Sequence, residues 1–318
     1  MAAEIGRPPA PRASAPARTL RRWAGGQLTE RELAAALLVP CLLFLALFAV
    51  YPIADAFWTS LHRLRLDQPA AGVPFVGLRN FAAAAQDAGA RHALGVTLAY
   101  VAVTIAAQFV VGLGIALVVN RTVRGQGFVR AATLLPWTLA PALAGQMWRW
   151  LFNDSAGVIN DLLHRAGLIG QPVVWLGVPS LAFGAVATAA SWGAASYIAL
   201  ILLAGLQGIP EELYEAGSLD GASPVRAFLT ITLPLLRGAI MVSLVLRTLG
   251  ALQAFDIIFP MTGGGPGDAT ETFAFYIYEN TFRFLNFGYG AALSVVLLAL
   301  TLGFAAAYYR VLAPREEA

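Results

Sequence analysis

The sequence predicts an all-α integral membrane fold: six transmembrane helices, with a cytoplasmic helical hairpin between the fourth and the fifth. Three observations carry that expectation. Of 318 residues, 58% are hydrophobic and only 12% charged, with a mean hydropathy of +0.68; soluble proteins carry about 25% charged residues. Six apolar segments recur along the chain, each able to cross about 30 Å of hydrocarbon at about 1.5 Å per residue. Arginine is distributed unevenly among the segments that join them, as the positive-inside rule requires.

In chain order, residues 1–28 are rich in Pro, Ala and Arg without apolar periodicity, and read as a disordered cytoplasmic tail. Residues 29–94 supply the first transmembrane helix, from the apolar run 33–53, and an extracytoplasmic loop. Ala54-Asp55-Ala56 resembles a cleavage site, but this run is about twice the length of a signal-peptide core, so it reads as an uncleaved anchor. Residues 95–310 form a five-helix core from the runs 95–119, 131–147, 180–204, 239–261 and 290–309, and 311–318 a second cytoplasmic tail. The third run carries Pro136 and Pro141 and is expected to kink. In the second, Gly112, Gly114 and Ala116 are small enough for close helix packing. With the N-terminus inside, the inner segments 1–32, 120–130, 205–237 and 310–318 hold 13 Arg, and the outer segments 54–94, 148–179 and 262–288 hold 7. Loop 120–130 has Arg121, Arg124 and Arg130 and no acid, so both termini are expected in the cytoplasm. Trp148, Arg149 and Trp150 suit the outer interface.

Composition also excludes chemistry. All 21 basic residues are Arg, so neither a phosphate-binding P-loop lysine nor a Schiff-base lysine exists. The single cysteine, Cys41, rules out an intrachain disulfide or a Cys-cluster metal site. His62, His92 and His164 lie far apart without metal-ligand or nucleophile–base spacing, so no metal and no catalytic residue is assigned. A net charge of only +3 is explained by the inner Arg bias, and no nucleic-acid partner is expected.

Segment 205–237 is longer than a tether between two helices needs and is patterned as two short helices. Pro210 suits a first helical position, followed by Glu211 and Glu212 in the positive first turn. Glu211 and Glu215 share a face. Gly221 is placed to end the first helix in a left-handed conformation; Ser223 and Pro224 start the second, and Leu233-Pro234 is expected to break it. From these features alone, a solvated interfacial hairpin remains an alternative to a docking element.

These residues resemble the EAA loop of binding-protein-dependent ABC importer permeases. Glu215, Ala216 and Gly217 stand where that family has Glu-Ala-Ala, with Gly217 replacing the second alanine. Asp220-Gly221 follow, and Ile231-Thr232-Leu233-Pro234 close the motif at the family's spacing. The likeness extends over about 33–310. Phe255-Asp256-Ile257-Ile258, Gly263-Gly264-Gly265-Pro266, Ala269-Thr270-Glu271-Thr272, and Trp150-Leu151-Phe152 with Gly157-Val158-Ile159-Asn160 resemble the carbohydrate-importer branch, nearer the F-type half of maltose permeases. The resemblance implies a MetI-like permease subunit in a bacterial inner membrane, half of a path for a sugar or oligosaccharide. It implies as partners a second permease subunit, an ATP-binding-cassette ATPase dimer and an extracytoplasmic solute-binding protein, besides membrane lipid. It also implies that Glu215, Ala216, Gly217, Asp220, Gly221, Ile231, Leu233 and Pro234 couple to the ATPase, which would hold ATP and Mg; this chain would then be no enzyme and carry no cofactor. Glycerol-3-phosphate or a related polar solute is the alternative cargo. An ion-coupled transporter fits less well, because Asp256 is the only acid within the expected spans.

Polar groups inside the expected spans are the candidates for the path. Arg247 lies near mid-membrane, where a cation is expensive; it either clamps backbone carbonyls of a neighbouring helix or lines a cavity. Gln253 and Asp256 follow on the same run, and on a continuous helix Asp256 would face away from Arg247. Trp192 and Tyr197 either pack or stack on sugar rings. Gly263, Gly264, Gly265 and Pro266 are expected to form a compact extracytoplasmic loop near the gate.

Overall fold

A computed structural model describes residues 29–120 and 126–312. The tail expected at 1–28, Arg121, Arg124 and residues 313–318 lie outside them. The chain divides into two units, Met1–Asp55 and Ala56–Ala318. Among the described residues the regular structure is helical, with isolated bridges His62–Phe75 and Arg65–Asn286 and no strand.

In the first unit Thr29 and Glu32 form a capping box at the start of α1 (Glu30–Leu45): the Thr29 hydroxyl accepts from the Glu32 amide, and the Glu32 carboxylate accepts from the Thr29 amide at 3.0 Å. A π-turn (Ala46–Val50) leads into α2 (Tyr51–Ser60). Leu37, Leu38, Val39 and Leu43, which point to different sides of the helix, are all exposed, a surface apolar all round and suited to hydrocarbon.

The second unit holds α3 (Arg79–Gln86), α4 (Ala88–Asn120), α5 (Gln126–Thr138), α6 (Pro141–Leu151), α7 (Val158–Arg165), α8 (Pro179–Gln207), α9 (Glu211–Leu219), α10 (Pro224–Ala227), α11 (Arg237–Leu252), α12 (Phe273–Tyr278) and α13 (Phe287–Leu312). Its spine is α4 packed along α8. Gly112 permits the approach: a Cβ there would stand 2.8 Å from Ile198 Cγ2 and 2.9 Å from the Ala195 carbonyl, whereas Gly114 faces open space. Ala182, Ala185, Val186 and Ala189 keep the buried face of α8 slim. Ala116, Ile198, Leu202 and Leu236 form one core cluster; Tyr100, Val186, Leu252, Ile258 and Met261 form another.

Among the described residues, four helices are long and apolar enough to cross a membrane: 31–60, α4, α8 and most of α13. A fifth arises if Pro224–Leu235 and α11, which meet at 64°, count as one bent span. The six expected segments are therefore not six continuous helices. The third is cut into α5 and α6, because Pro141 opens α6 and holds Ala140 in an extended conformation. The fifth stops at Leu252; residues 253–257 leave the helix before a single turn, Ile258–Met261. Tertiary contacts satisfy this break. The Thr272 hydroxyl donates to the Ala254 carbonyl at 2.6 Å, and Gly145 makes room for the Ile257 carbonyl, which a Cβ would meet at 2.6 Å.

Candidate functional site

The broken segment after α11 opens a cavity of about 330 Å³. Tyr100 and Gln108 of α4, Pro136 and Trp137 of α5, and Gly193 of α8 line one side; Arg247, Gln253 and Asp256 line the other. Arg247 Nε donates to Gln108 Oε1 at 3.1 Å, and Gln108 is only 1% exposed. Arg247 is thus held by a side chain of α4, not by backbone carbonyls, while also facing the cavity. The expectation that Asp256 turns away from Arg247 assumed an unbroken helix; with the helix ending at Leu252 both residues line the same space. They form no ion pair, and no carboxylate among the described residues pairs with Arg247. Trp192 and Tyr197 are not among the lining residues. Trp192 packs edge-on against Trp148, and Tyr197 stacks at 5.6 Å on Trp137, buttressing a ring that does line the cavity.

Within 205–237 the chain forms two short helical arms, α9 and then α10 with the π-turn that follows it. Pro210 is the N-cap of α9 and not its first helical residue; Glu211 and Glu212 begin the first turn. The helix ends in a Schellman motif: the Ala222 amide reaches the Gly217 carbonyl at 2.9 Å and the Gly221 amide the Ser218 carbonyl at 3.1 Å, with Gly221 at φ 75°. Ser223 caps α10 through the Arg226 amide, and Pro224 takes the first position. The expected break at Leu233-Pro234 is displaced. A π-turn, Phe228–Thr232, precedes Pro234 and shifts the hydrogen-bond register around the missing N–H, so the chain turns at Leu236 instead. Two contacts lock the arms: Tyr214 Oη to Thr232 Oγ1 at 3.0 Å, and Ile231 against Gly217, where a Cβ would come within 3.0 Å of Ile231 Cδ1. Glycine in place of the second alanine therefore leaves room for a tighter crossing. Glu215, Ala216 and Asp220 are exposed, with Leu219 and Val225 beside them on the surface.

The run Gly263–Pro266 forms a tight loop, with Gly263 at φ 61° and Gly264 at φ 87°. Thr270 Oγ1 donates to the Gly265 carbonyl at 2.8 Å, and Gly264 lies against the Phe275 ring. Nearby, Asp87 accepts hydrogen bonds from Tyr276 Oη at 2.6 Å, Tyr289 Oη at 2.5 Å and the Gly89 amide at 2.8 Å. Burial works against the Asp87 carboxylate, but these bonds outweigh it and hold its carboxyl below the ordinary value. Burial, with Asp268 and Glu279 adding negative charge, pushes the Glu271 carboxyl up to about 7.

Sequence reasoning singled out Arg247 but missed the partner that positions it. Gln108 was visible as an amide in an apolar run, the type of residue that marks a functional position in a membrane helix. Tyr214 and Asp87 gave no comparable signal, because each acts through residues distant in sequence.

Residues 108–317 match the family described as binding-protein-dependent transport system inner membrane component. The sulfoquinovosyl glycerol transport system permease protein SmoG of Agrobacterium fabrum is 41% identical over 93% of this chain and 94% of its own length. The trehalose/maltose transport system permease protein MalF of Thermococcus litoralis is 38% identical over 89% and 94%. In fold, the chain is similar to one solved in a bacterial alginate ABC transporter in complex with an alginate pentasaccharide-bound periplasmic protein, with a TM-score of 0.75 at 21% identity, covering 92% of this chain and 95% of that one.

Proposed function

The chain belongs to the family of binding-protein-dependent transport system inner membrane components, and from that premise we propose that it forms half of a translocation path for a sugar or oligosaccharide. The cargoes in the names of the two relatives above, a glycoside for one and disaccharides for the other, support this class. In this reading the protein sits in a bacterial inner membrane with both termini in the cytoplasm. It crosses six times, the third crossing being α5 with α6 and the fifth being α11 with the turn at Ile258–Met261. A second permease completes the path, an extracytoplasmic binding protein delivers the solute, and an ATPase pair carries ATP and Mg.

One observation carries the mechanism: the hairpin and the cavity belong to one continuous stretch of chain. The second arm runs through Leu235, turns by 64° and becomes α11, which bears Arg247. Glu215 and the exposed face around Leu219 dock on the ATPase. Closure of the ATPase pair pulls the hairpin, whose arms move together because Tyr214–Thr232 and Gly217–Ile231 lock them. α11 then shifts relative to α4 and α8, and the cavity changes its side of access by rigid-body movement.

The test is uptake into proteoliposomes holding this chain, its second permease and the ATPase, with the binding protein added outside. Uptake of labelled sugar that requires ATP and binding protein is expected. Uptake by this chain alone, driven by an ion gradient, would overturn the reading.

A further inference from the structure

The cavity holds a cation that no carboxylate among the described residues pairs with. The Arg247 guanidinium offers five donors, of which the structure uses one, Nε to Gln108. Among the described residues its Nη1 and Nη2 have no protein acceptor and no carboxylate within 4.0 Å. Neither nitrogen is sealed into the protein: the buried unpartnered side-chain atoms are Trp148 Nε1 and Ser191 Oγ. The free edge of the guanidinium therefore opens on the cavity, with Nη1 near Gly250, whose missing side chain keeps that wall open. Elsewhere the walls include Pro136, Leu139 and Ala189, whose side chains carry no acceptor for the charge. An uncompensated cation in a low-dielectric space is costly, and an arriving anion relieves that cost where a neutral hydroxyl does not. On the break after α11 stand Gln253, whose amide both donates and accepts hydrogen bonds, and the exposed Asp256, whose carboxylate accepts hydrogen bonds from hydroxyls and repels an anion.

We propose that this cavity selects a solute combining a hydroxyl-rich part with one anionic group, a sulfonated, phosphorylated or carboxylated sugar or polyol. The anionic group pairs with the free edge of Arg247, and the hydroxyls face Gln253 and Asp256. Gln108 fixes the guanidinium so that this edge points into the cavity. Guanidinium geometry suits the task, since its paired N–H groups match two oxygens of a sulfonate, phosphate or carboxylate. The inference rests on the importer reading above and narrows its cargo.

The experiment uses the complete importer in nanodiscs without binding protein, and titration calorimetry with three probes. These are sulfoquinovosyl glycerol, sn-glycerol-3-phosphate and, as the neutral counterpart of the first, glucosyl glycerol. At least one anionic probe is expected to bind about tenfold tighter than the neutral one. Arg247→Gln should abolish that advantage and Arg247→Lys should keep part of it. Equal binding of charged and neutral probes, a preference that survives Arg247→Gln, or binding of none of the three overturns the proposal. Should Arg247→Gln fail to assemble, the wild-type comparison decides the charge preference and Arg247→Lys decides the residue. ATP-driven uptake of neutral sugar without anionic preference would defeat this inference alone; absence of any ATP-driven uptake would defeat the importer reading itself.

Discussion

Gly112 and Glu271 show how single side chains set limits in this protein. At Gly112 the neighbours that a new Cβ would strike include the Ala195 carbonyl, which is backbone and does not yield. Gly112→Val should therefore push α4 from α8 and cost about 1–3 kcal/mol. Gly114→Ala, two residues on and facing open space, should stabilise by up to about 1 kcal/mol through helix propensity. Thermal unfolding in detergent compares them, and equal melting of the two variants would refute the packing argument. Glu271 concerns pH. Its carboxyl lies at about 7 in the fold against 4.5 ordinarily, through burial and then the charges of Asp268 and Glu279. The folded protein thus holds this proton more tightly than the unfolded chain. The resulting stability is fully present below 4.5 and is lost as pH rises through about 7. Glu271→Gln, uncharged at every pH, should be more stable than wild type near pH 8, with the gap closing near pH 5. Asp87 acts in the opposite direction: its depressed carboxyl contributes stability that is lost on acidification.

The hairpin places a demand on conformation and a demand on charge, and substitutions separate them. Gly221 has nothing within 4 Å of an added Cβ, so its requirement is backbone alone, φ 75° in the Schellman turn. Asn tolerates this region and a β-branched residue does not. Gly221→Val should weaken ATPase capture and uncouple solute-stimulated ATP hydrolysis from transport, while Gly221→Asn stays near wild type. Glu215→Ala leaves the turn intact and removes one exposed carboxylate from the face proposed to dock on the ATPase; on that proposal it should weaken ATPase association without affecting solute capture by the binding protein. Pull-down of the ATPase and hydrolysis in reconstituted vesicles are read together. If Gly221→Val and Glu215→Ala both assemble and transport at the wild-type rate, the hairpin is only a linker.

Across the full chain, topology is the open expectation, and it rests on Arg placement between apolar segments. Single cysteines at Arg124 and Gln171, in a Cys41→Ala background, should react with an impermeant thiol reagent from opposite sides of the membrane. Reaction from the same side would remove the six-crossing arrangement and the inward termini with it.

Composition, apolar run length and local turn chemistry are short-range properties, and they were legible without coordinates. The all-helical membrane character follows from 58% hydrophobic residues and the long apolar runs. Gly221 and Ser223-Pro224 announce their turn and cap because the stereochemistry of each residue acts on its own neighbourhood. Arg247 stood out because a cation within an apolar run needs a reason. The helix breaks were less legible. Pro141 does signal the cut between α5 and α6, but nothing near Gln253 marks the end of α11. That end depends on Thr272 meeting the freed Ala254 carbonyl and on Gly145 admitting Ile257, contacts made across 18 and more than 100 residues of chain. The same distance hid Gln108 as the partner of Arg247, 139 residues away, and placed Asp256 on the same cavity as Arg247, the residue a continuous helix would have turned it away from. Helical periodicity extrapolates direction only along an unbroken helix, and only packing between distant segments decides where a helix in this chain stops.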